Sequence, residues 1–202
     1  MIAIIDYGAG NIHSIAKALE HVGATIQVTD DPVVVAQSQA VVLPGVGSGG
    51  AAMARMTERG LASAIREATE QGKPFLGICL GMQLLADRHA EGAVDGLKLF
   101  RGEVRRIPSG PKIPHMGWNQ VQAVQPGAPI FAGIPDDAYF YFAHSYYVEP
   151  QDQRGVAAVT EYGTPYCSVI ATERVWGTQF HPEKSGAAGL QLLENFVRWV
   201  KG

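Results

Sequence analysis

Residues 73–87 read KPFLGICLGMQLLAD, and the reading of this stretch decides the fold. Pro74 to Ile78 is a short apolar run of the kind that forms a buried strand, and Met82 to Asp87 reads as the start of a helix. Between them lies Gly-Ile-Cys-Leu-Gly, with Cys79 flanked by Gly77 and Gly81. Small residues on both sides let the chain reverse without side-chain clashes. The product is a strand–turn–helix elbow that holds a cysteine out from the end of a sheet. At a helix start, unpaired N–H groups and the helix dipole favour a thiolate. Taken alone, a cysteine after an apolar strand reads more readily as a small core residue. The rest of the chain has to decide.

Upstream, strands and helices alternate. IAIIDYG is an apolar strand ending in a glycine turn. NIHSIAKALEHVG puts Ile12, Ile15, Ala16 and Leu19 on one helical face, with Gly23 as a stop signal. TIQVTD and AVVLPG are further strands, followed by the helical stretches AAMARMTERG and LASAIREATEQG. Strands that are apolar throughout, alternating with helices, predict an α/β fold: three layers, with a largely parallel mixed sheet covered by helices on both faces. After about Leu97 the pattern changes to short strand candidates: KLFRGEVRRIP, NQVQAV, AYFYFAHSYYVEP, GVAAVTEYG, CSVIAT and VWGTQF. These predict an antiparallel section joined to the same sheet. AGLQLLENFVRWVKG closes the chain as an amphipathic helix, with Leu190, Leu193, Phe196, Val197 and Val200 apolar. One domain over residues 1–202 is expected.

Bulk properties exclude several classes. The 202 residues are 47% hydrophobic with a net charge of −3, and no basic block suggests nucleic acid. No apolar run is long enough to span a bilayer. Met1 leads straight into a strand, which predicts no signal peptide. Two distant cysteines without a CxxC pair argue against a disulfide framework or a zinc site and for a reducing cytoplasm. No metal or organic cofactor is expected.

GVGSGG, Gly45 to Gly50, fits the G-x-G-x-x-G dinucleotide fingerprint after a strand. The next strand, however, ends at Cys79, without the acid that would bind a ribose. A glycine-rich turn after a strand can instead present backbone N–H groups to an oxyanion. A cysteine nucleophile also needs a base, and the base an orienting group. His181 qualifies: QFHPE ends a strand candidate, and the i, i+2 spacing puts His181 and Glu183 on one side. A surface His-Pro-Glu turn without a role is the plain alternative.

Each of G-x-C-x-G-x-Q, Q-F-H-P-E and P-G-V-G stands at a strand end, and together they resemble the class I, triad-type glutamine amidotransferases. The resemblance implies Cys79 as nucleophile, His181 as base and acid, and Glu183 as orienter. It implies an oxyanion segment at PGVG, including Val46 and Gly47, with the Leu80 N–H as a second donor. Gln83, Ser145 and Tyr146 match positions that hold glutamine. DYGAGNIHS, PHMGWN, YFAHSYY and FHPEKSG further look like the glutaminase-subunit family of imidazole glycerol phosphate synthases. That resemblance implies a (β/α)8-barrel cyclase subunit as heterodimer partner, which takes the ammonia in histidine biosynthesis. Asn11, Trp118 and Lys184 are then candidates for the partner surface. Ser48-Gly49 replaces the family's usual Ala-Phe, which predicts a looser loop, and His13 stands where Arg is common. Cys167 reads as structural, and His115 and His144 mainly as scaffold histidines. The alternatives are a stand-alone cysteine hydrolase of γ-glutamyl substrates, a glutaminase subunit of another synthase, or a non-catalytic module on the same fold.

Overall fold

The computed structural model describes residues 1–109, 111–125 and 127–202. In chain order the first half runs β1 (Ile2–Ile5), α1 (Ile12–His21), β2 (Ile26–Thr29), α2 (Pro32–Gln37), β3 (Ala40–Gly45), α3 (Gly49–Glu58), α4 (Leu61–Glu70), β4 (Phe75–Cys79) and α5 (Leu80–Gln83). The second half runs β5 (Arg88–His89), β6 (Val94–Asp95), β7 (Gly102–Arg106), β8 (His115–Gln120), β9 (Gln122–Ala123), β10 (Tyr139–His144), β11 (Tyr146–Pro150), β12 (Val156–Glu161), β13 (Pro165–Ala171), β14 (Val175–Thr178) and α6 (Gly186–Lys201).

The main sheet has the order β2-β1-β3-β4-β14-β13-β11-β7-β5-β6. The five strands from β2 to β14 are parallel to their neighbours, and β13 then turns the sheet antiparallel. β1, β3 and β4 are buried along their whole length because helices cover both faces. Alternate side chains feed two cores. Ile5, Val41, Leu43 and Phe75 pack with Met56, Leu61 and Ile65 of α3 and α4. Ile4, Val42, Leu76 and Ile78 pack with Ile15 and Leu19 of α1 and Leu192, Leu193 and Phe196 of α6. The expected three layers are present.

Three local readings change. α2 has no counterpart in the sequence reading, and its β-branched run Val33-Val34-Val35 disfavours helix. It forms because Asp31 caps it, accepting the Val33 N–H at 2.8 Å, and Pro32 occupies the first turn. The helix expected from Met82 to Asp87 is instead the single turn Leu80–Gln83. Residues 97–100 capture the carbonyls that would have continued it: Leu97 N–H donates to Leu84, Lys98 N–H to Ala86, and the Leu99 and Phe100 N–H groups to Leu85. Finally, the expected antiparallel section is not all one sheet. β8 and β10 form a separate two-stranded ribbon, paired from Tyr139↔Gln120 to His144↔His115. The chain passes from this ribbon into the main sheet at Ser145, between β10 and β11.

Candidate active site

β3 and β4 are parallel neighbours, and their register pairs Gly45 with Cys79. The PGVG segment and the cysteine therefore leave the sheet side by side at its carboxyl edge, where open parallel sheets hold ligands. Cys79 has φ 53° and ψ −109°, a conformation rare for a residue with a side chain. Such strain costs about 1–3 kcal/mol and persists only where the surroundings enforce it. Here they do. A Cβ at Gly81 would overlap the Leu43 carbonyl oxygen, and one at Gly77 would lie 2.7 Å from the Gly81 oxygen. The two glycines let α5 sit directly on β3 and β4, which pins the turn between them. Because α5 is one turn long, its dipole adds little at Cys79. The charge partner must come from elsewhere.

That partner is His181. β14 stops at Thr178, short of the strand end expected at His181, and Pro182–Lys184 forms a 3-10 turn. The turn brings Glu183 Oε1 to 2.9 Å from His181 Nδ1, with both side chains buried. The carboxylate accepts, so Nδ1 donates and Nε2 is left for the thiol. Burial alone would depress His181, but hydrogen bonds to Cys79 and Glu183, and then their charges, outweigh it and lift the imidazole to about 10. An imidazole so placed can exchange a proton with the neighbouring thiol as it attacks. The other Glu183 oxygen has no hydrogen-bond partner among the described residues.

This sets a pH dependence. His181 in the folded chain lies above the ordinary histidine value of about 6.5. Its interactions thus stabilise the fold fully below about pH 6.5 and are lost as pH rises through about 10. For the same reason kcat/KM for glutamine is expected to fall on the alkaline side with an apparent pKa near 10. A pH–rate profile whose alkaline limb already descends at roughly pH 7 would contradict the coupled pair.

A cleft of about 230 Å³ opens over Cys79 and is lined by Val46, Gly47, Leu80, Gln83, Glu91, Pro114, Met116, Ala143, His144, Ser145 and Tyr146. All six residues assigned from sequence to the oxyanion segment and substrate pocket thus converge on one cleft. A larger groove of about 920 Å³ lies at the opposite end of β14, around Arg174 and Val175, and is lined by neither cysteine nor histidine.

Gln83 is more internal than expected. Its Nε2 donates to the Tyr146 carbonyl at 2.8 Å and to Gln179 Oε1 at 3.1 Å, and its Oε1 lies 3.1 Å from His89 Nε2. It braces the cleft wall. Gln179, fully buried, lies 3.8 Å from Cys79 Sγ through its own Nε2. The sequence reading overlooked Gln179, although a polar side chain between the buried Thr178 and Phe180 was a signal. It also overlooked Glu91, the one carboxylate on the cleft, which sits in a loop without a motif.

Gly49 is not loose. A Cβ there would strike the His89 ring at 2.6 Å, and its N–H donates to Glu91 Oε2 at 3.1 Å. The His89 ring occupies the space that a larger residue at 49 would need. Gly45 is equally fixed, with the Tyr7 hydroxyl 2.5 Å from where a Cβ would stand. Freedom in the loop is confined to Val46, Gly47 (φ 92°) and Ser48.

Trp118 is 56% exposed, so it is not a core residue. Its ring meets Tyr141 edge-on at 6.2 Å, and Lys184 Nζ lies 5.8 Å from the same ring. The two form one patch beside the cleft. Asn11 precedes α1, which packs against the Pro182–Lys184 turn, and its Oδ1 accepts from Ser14 Oγ at 2.8 Å. Cys167 is buried in β13, and burial pushes its thiol up to about 12.

Comparison with known proteins agrees with this geometry. The family model for glutamine amidotransferase class-I matches residues 3–199. The imidazole glycerol phosphate synthase subunit HisH of Moorella thermoacetica is 51% identical over 201 residues, covering 99% of this chain and 95% of that protein. The HisH subunit of Methylococcus capsulatus is 50% identical, covering 98% and 96%. Among solved structures, a glutamine amidotransferase superposes with a TM-score of 0.78 over all of both chains at 17% identity. PurLQS from Thermotoga maritima gives 0.75 at 19% identity, covering 98% of this chain and 97% of that one. Those structures share the fold, while the HisH relatives share half of their residues with it over nearly its whole length, and the chain belongs to the class-I glutamine amidotransferases and, within them, to the HisH subunits of imidazole glycerol phosphate synthase.

Proposed function

We propose that this chain, acting as one domain, hydrolyses glutamine to glutamate and ammonia through Cys79, His181 and Glu183. The observation that carries the reading is the elbow cysteine beside a buried His181 that Glu183 holds at 2.9 Å. Cys79 Sγ attacks the side-chain amide carbon of glutamine, and the carbonyl oxygen becomes an oxyanion. The N–H groups of Val46 or Gly47 and of Leu80 stabilise it. His181 passes its proton to the amide nitrogen, the C–N bond breaks, and ammonia leaves a glutamyl thioester. The same imidazole then takes a proton from water, which attacks the thioester and releases glutamate. Glu91 is the acceptor suited to the substrate's α-ammonium group, and Ser145 and Tyr146 form the facing wall.

The ammonia serves a cyclase subunit in histidine biosynthesis, in keeping with the HisH relatives. We read that partner as a (β/α)8 barrel that docks on Asn11, Trp118 and Lys184 in a cytoplasmic heterodimer and receives the ammonia without its release to solvent. Among the described residues no helix is long and apolar enough to cross a membrane.

A glutamine-like electrophile tests the nucleophile. Label is expected on Cys79 alone, because Cys167 has a thiol raised to about 12 and no base beside it. Peptide mapping that finds Cys167 labelled first would reverse the assignment.

A further inference from the structure

His115, His144 and Tyr166 are buried together at the cleft wall, which His144 lines, and their hydrogen bonds have only one consistent direction. His144 Nδ1 lies 2.7 Å from the Tyr146 carbonyl oxygen. A carbonyl can only accept, so Nδ1 carries the hydrogen. Burial holds His144 far down, at about 3, so its Nε2 is bare at neutral pH. The Tyr166 hydroxyl, 3.1 Å from that nitrogen, must therefore donate to it. The Tyr166 oxygen is then free to accept, and His115 Nδ1 lies 3.0 Å away. His115, lowered to about 4 by burial, is also neutral, and its Nε2 accepts from Asn119 Nδ2 at 3.4 Å. The Asn119 amide is oriented independently. Its Nδ2 donates to the Glu161 carbonyl at 3.0 Å, and its Oδ1 accepts the Gln120 N–H at 2.8 Å.

The chain therefore runs Asn119 → His115 → Tyr166 → His144 → Tyr146 C=O, each member donating to the next. Its far end is a junction. The Tyr146 carbonyl also accepts from Gln83, which donates to Gln179, whose amide faces Cys79 Sγ. Its near end lies on β8, next in sequence to the exposed Trp118. The ring packing does not need the hydroxyl: Tyr166 stands edge-on to Phe142 at 6.3 Å and to His144 at 5.2 Å through its aromatic faces and edges.

Resting on the glutaminase reading above, we infer that Tyr166 is a positioning residue whose hydroxyl joins Asn119 on the β8–β10 ribbon to the Tyr146 carbonyl, so that the ribbon and the glutamine cleft are held in one register. Removing the hydroxyl leaves His144 Nε2 and His115 Nδ1 without their partner, and the Tyr146 carbonyl loses a fixed donor. A buried polar group left unpaired costs enough for roughly a tenfold effect.

The test is Tyr166→Phe in the complex with the cyclase. The KM for glutamine is expected to rise about tenfold with a smaller change in kcat, and ammonia-dependent synthesis to be unchanged. Asn119→Ala, at a half-buried position on the ribbon, is expected to raise KM in the same direction by a smaller factor. Combined with Tyr166→Phe it should add nothing further, as expected for members of one chain. Nitrogen NMR of labelled histidines supplies a readout independent of activity: both His115 and His144 are expected as Nδ1–H tautomers in the unsubstituted chain. An Nε2–H tautomer at either residue, an unchanged glutamine KM in Tyr166→Phe, or an equal fall in ammonia-dependent synthesis would overturn the inference. If Cys79 proved not to be the nucleophile, the tautomers would stand as described while glutamine turnover survived in Cys79→Ala. The two failures are thus separable.

Discussion

Cys79→Ala is expected to abolish glutamine-dependent synthesis by the complex, a fall of about 10⁴-fold or more, while synthesis from added ammonia continues at its ordinary rate. On the proposed mechanism alanine removes the atom that forms the thioester, and it leaves the fold nearly untouched. Cys79 is already small, and its turn is fixed by Gly77 and Gly81 packing on β3, not by the sulfur. Ammonia added from solution bypasses every step that His181 and Glu183 assist. The comparison of the two nitrogen sources separates loss of chemistry from loss of partner docking. Equal loss of both activities would mean that Cys79 holds the structure, and retained glutamine turnover would mean that another group attacks.

The second large effect concerns the partner. The isolated chain is expected to hydrolyse glutamine about a hundredfold more slowly than the complex with cyclase and its nucleotide ligand. An oxyanion donor is worth about 2.7–4 kcal/mol, so a single misdirected peptide accounts for a factor of that size. The structure confines the misdirection to a few residues. Gly45 is locked against Tyr7 and Leu80, and Gly49 against His89 and Glu91. Between them Val46 is exposed and Gly47, at φ 92°, has open space where a Cβ would stand. Glycine makes alternative peptide orientations inexpensive, so the Val46–Gly47 peptide can turn its N–H toward or away from the cleft. A partner that binds the productive orientation better shifts that balance. Docking on Trp118 and Lys184, which share the Tyr141 ring beside the cleft, would bring it close enough to act. Steady-state rates for the chain alone, with cyclase, and with cyclase plus ligand measure this. Three equal rates would rule out gating and favour a stand-alone hydrolase.

Much of the fold was legible because burial on both faces leaves a simple trace. β1, β3 and β4 read as unbroken apolar runs, and α1 and α6 as apolar stripes. What escaped depended on distant partners. Nothing in Met82 to Asp87 announces that residues 97–100 will take the carbonyls of Leu84, Leu85 and Ala86 and end the helix after one turn. Nothing in YFAHSYY shows that its first half leaves the main sheet to pair with PHMGWN. In α2 a local cap at Asp31 overrode the β preference of three valines. The site divides the same way. Cys79, His181 and Glu183 stand in short motifs at strand ends. Gln179 and Tyr166 act through hydrogen bonds to residues 20 or more positions away, and those bonds exist only once the sheet has assembled.

The most direct test of the account is to catch the covalent intermediate. The complex is mixed with glutamine, quenched in acid within a turnover, and digested, and the peptides are weighed. A glutamyl group is expected on the peptide carrying Cys79, absent from Cys79→Ala and from samples without glutamine. Glutamate released at full rate with no modified Cys79 peptide at any quench time, or the group found on Cys167, would contradict the account.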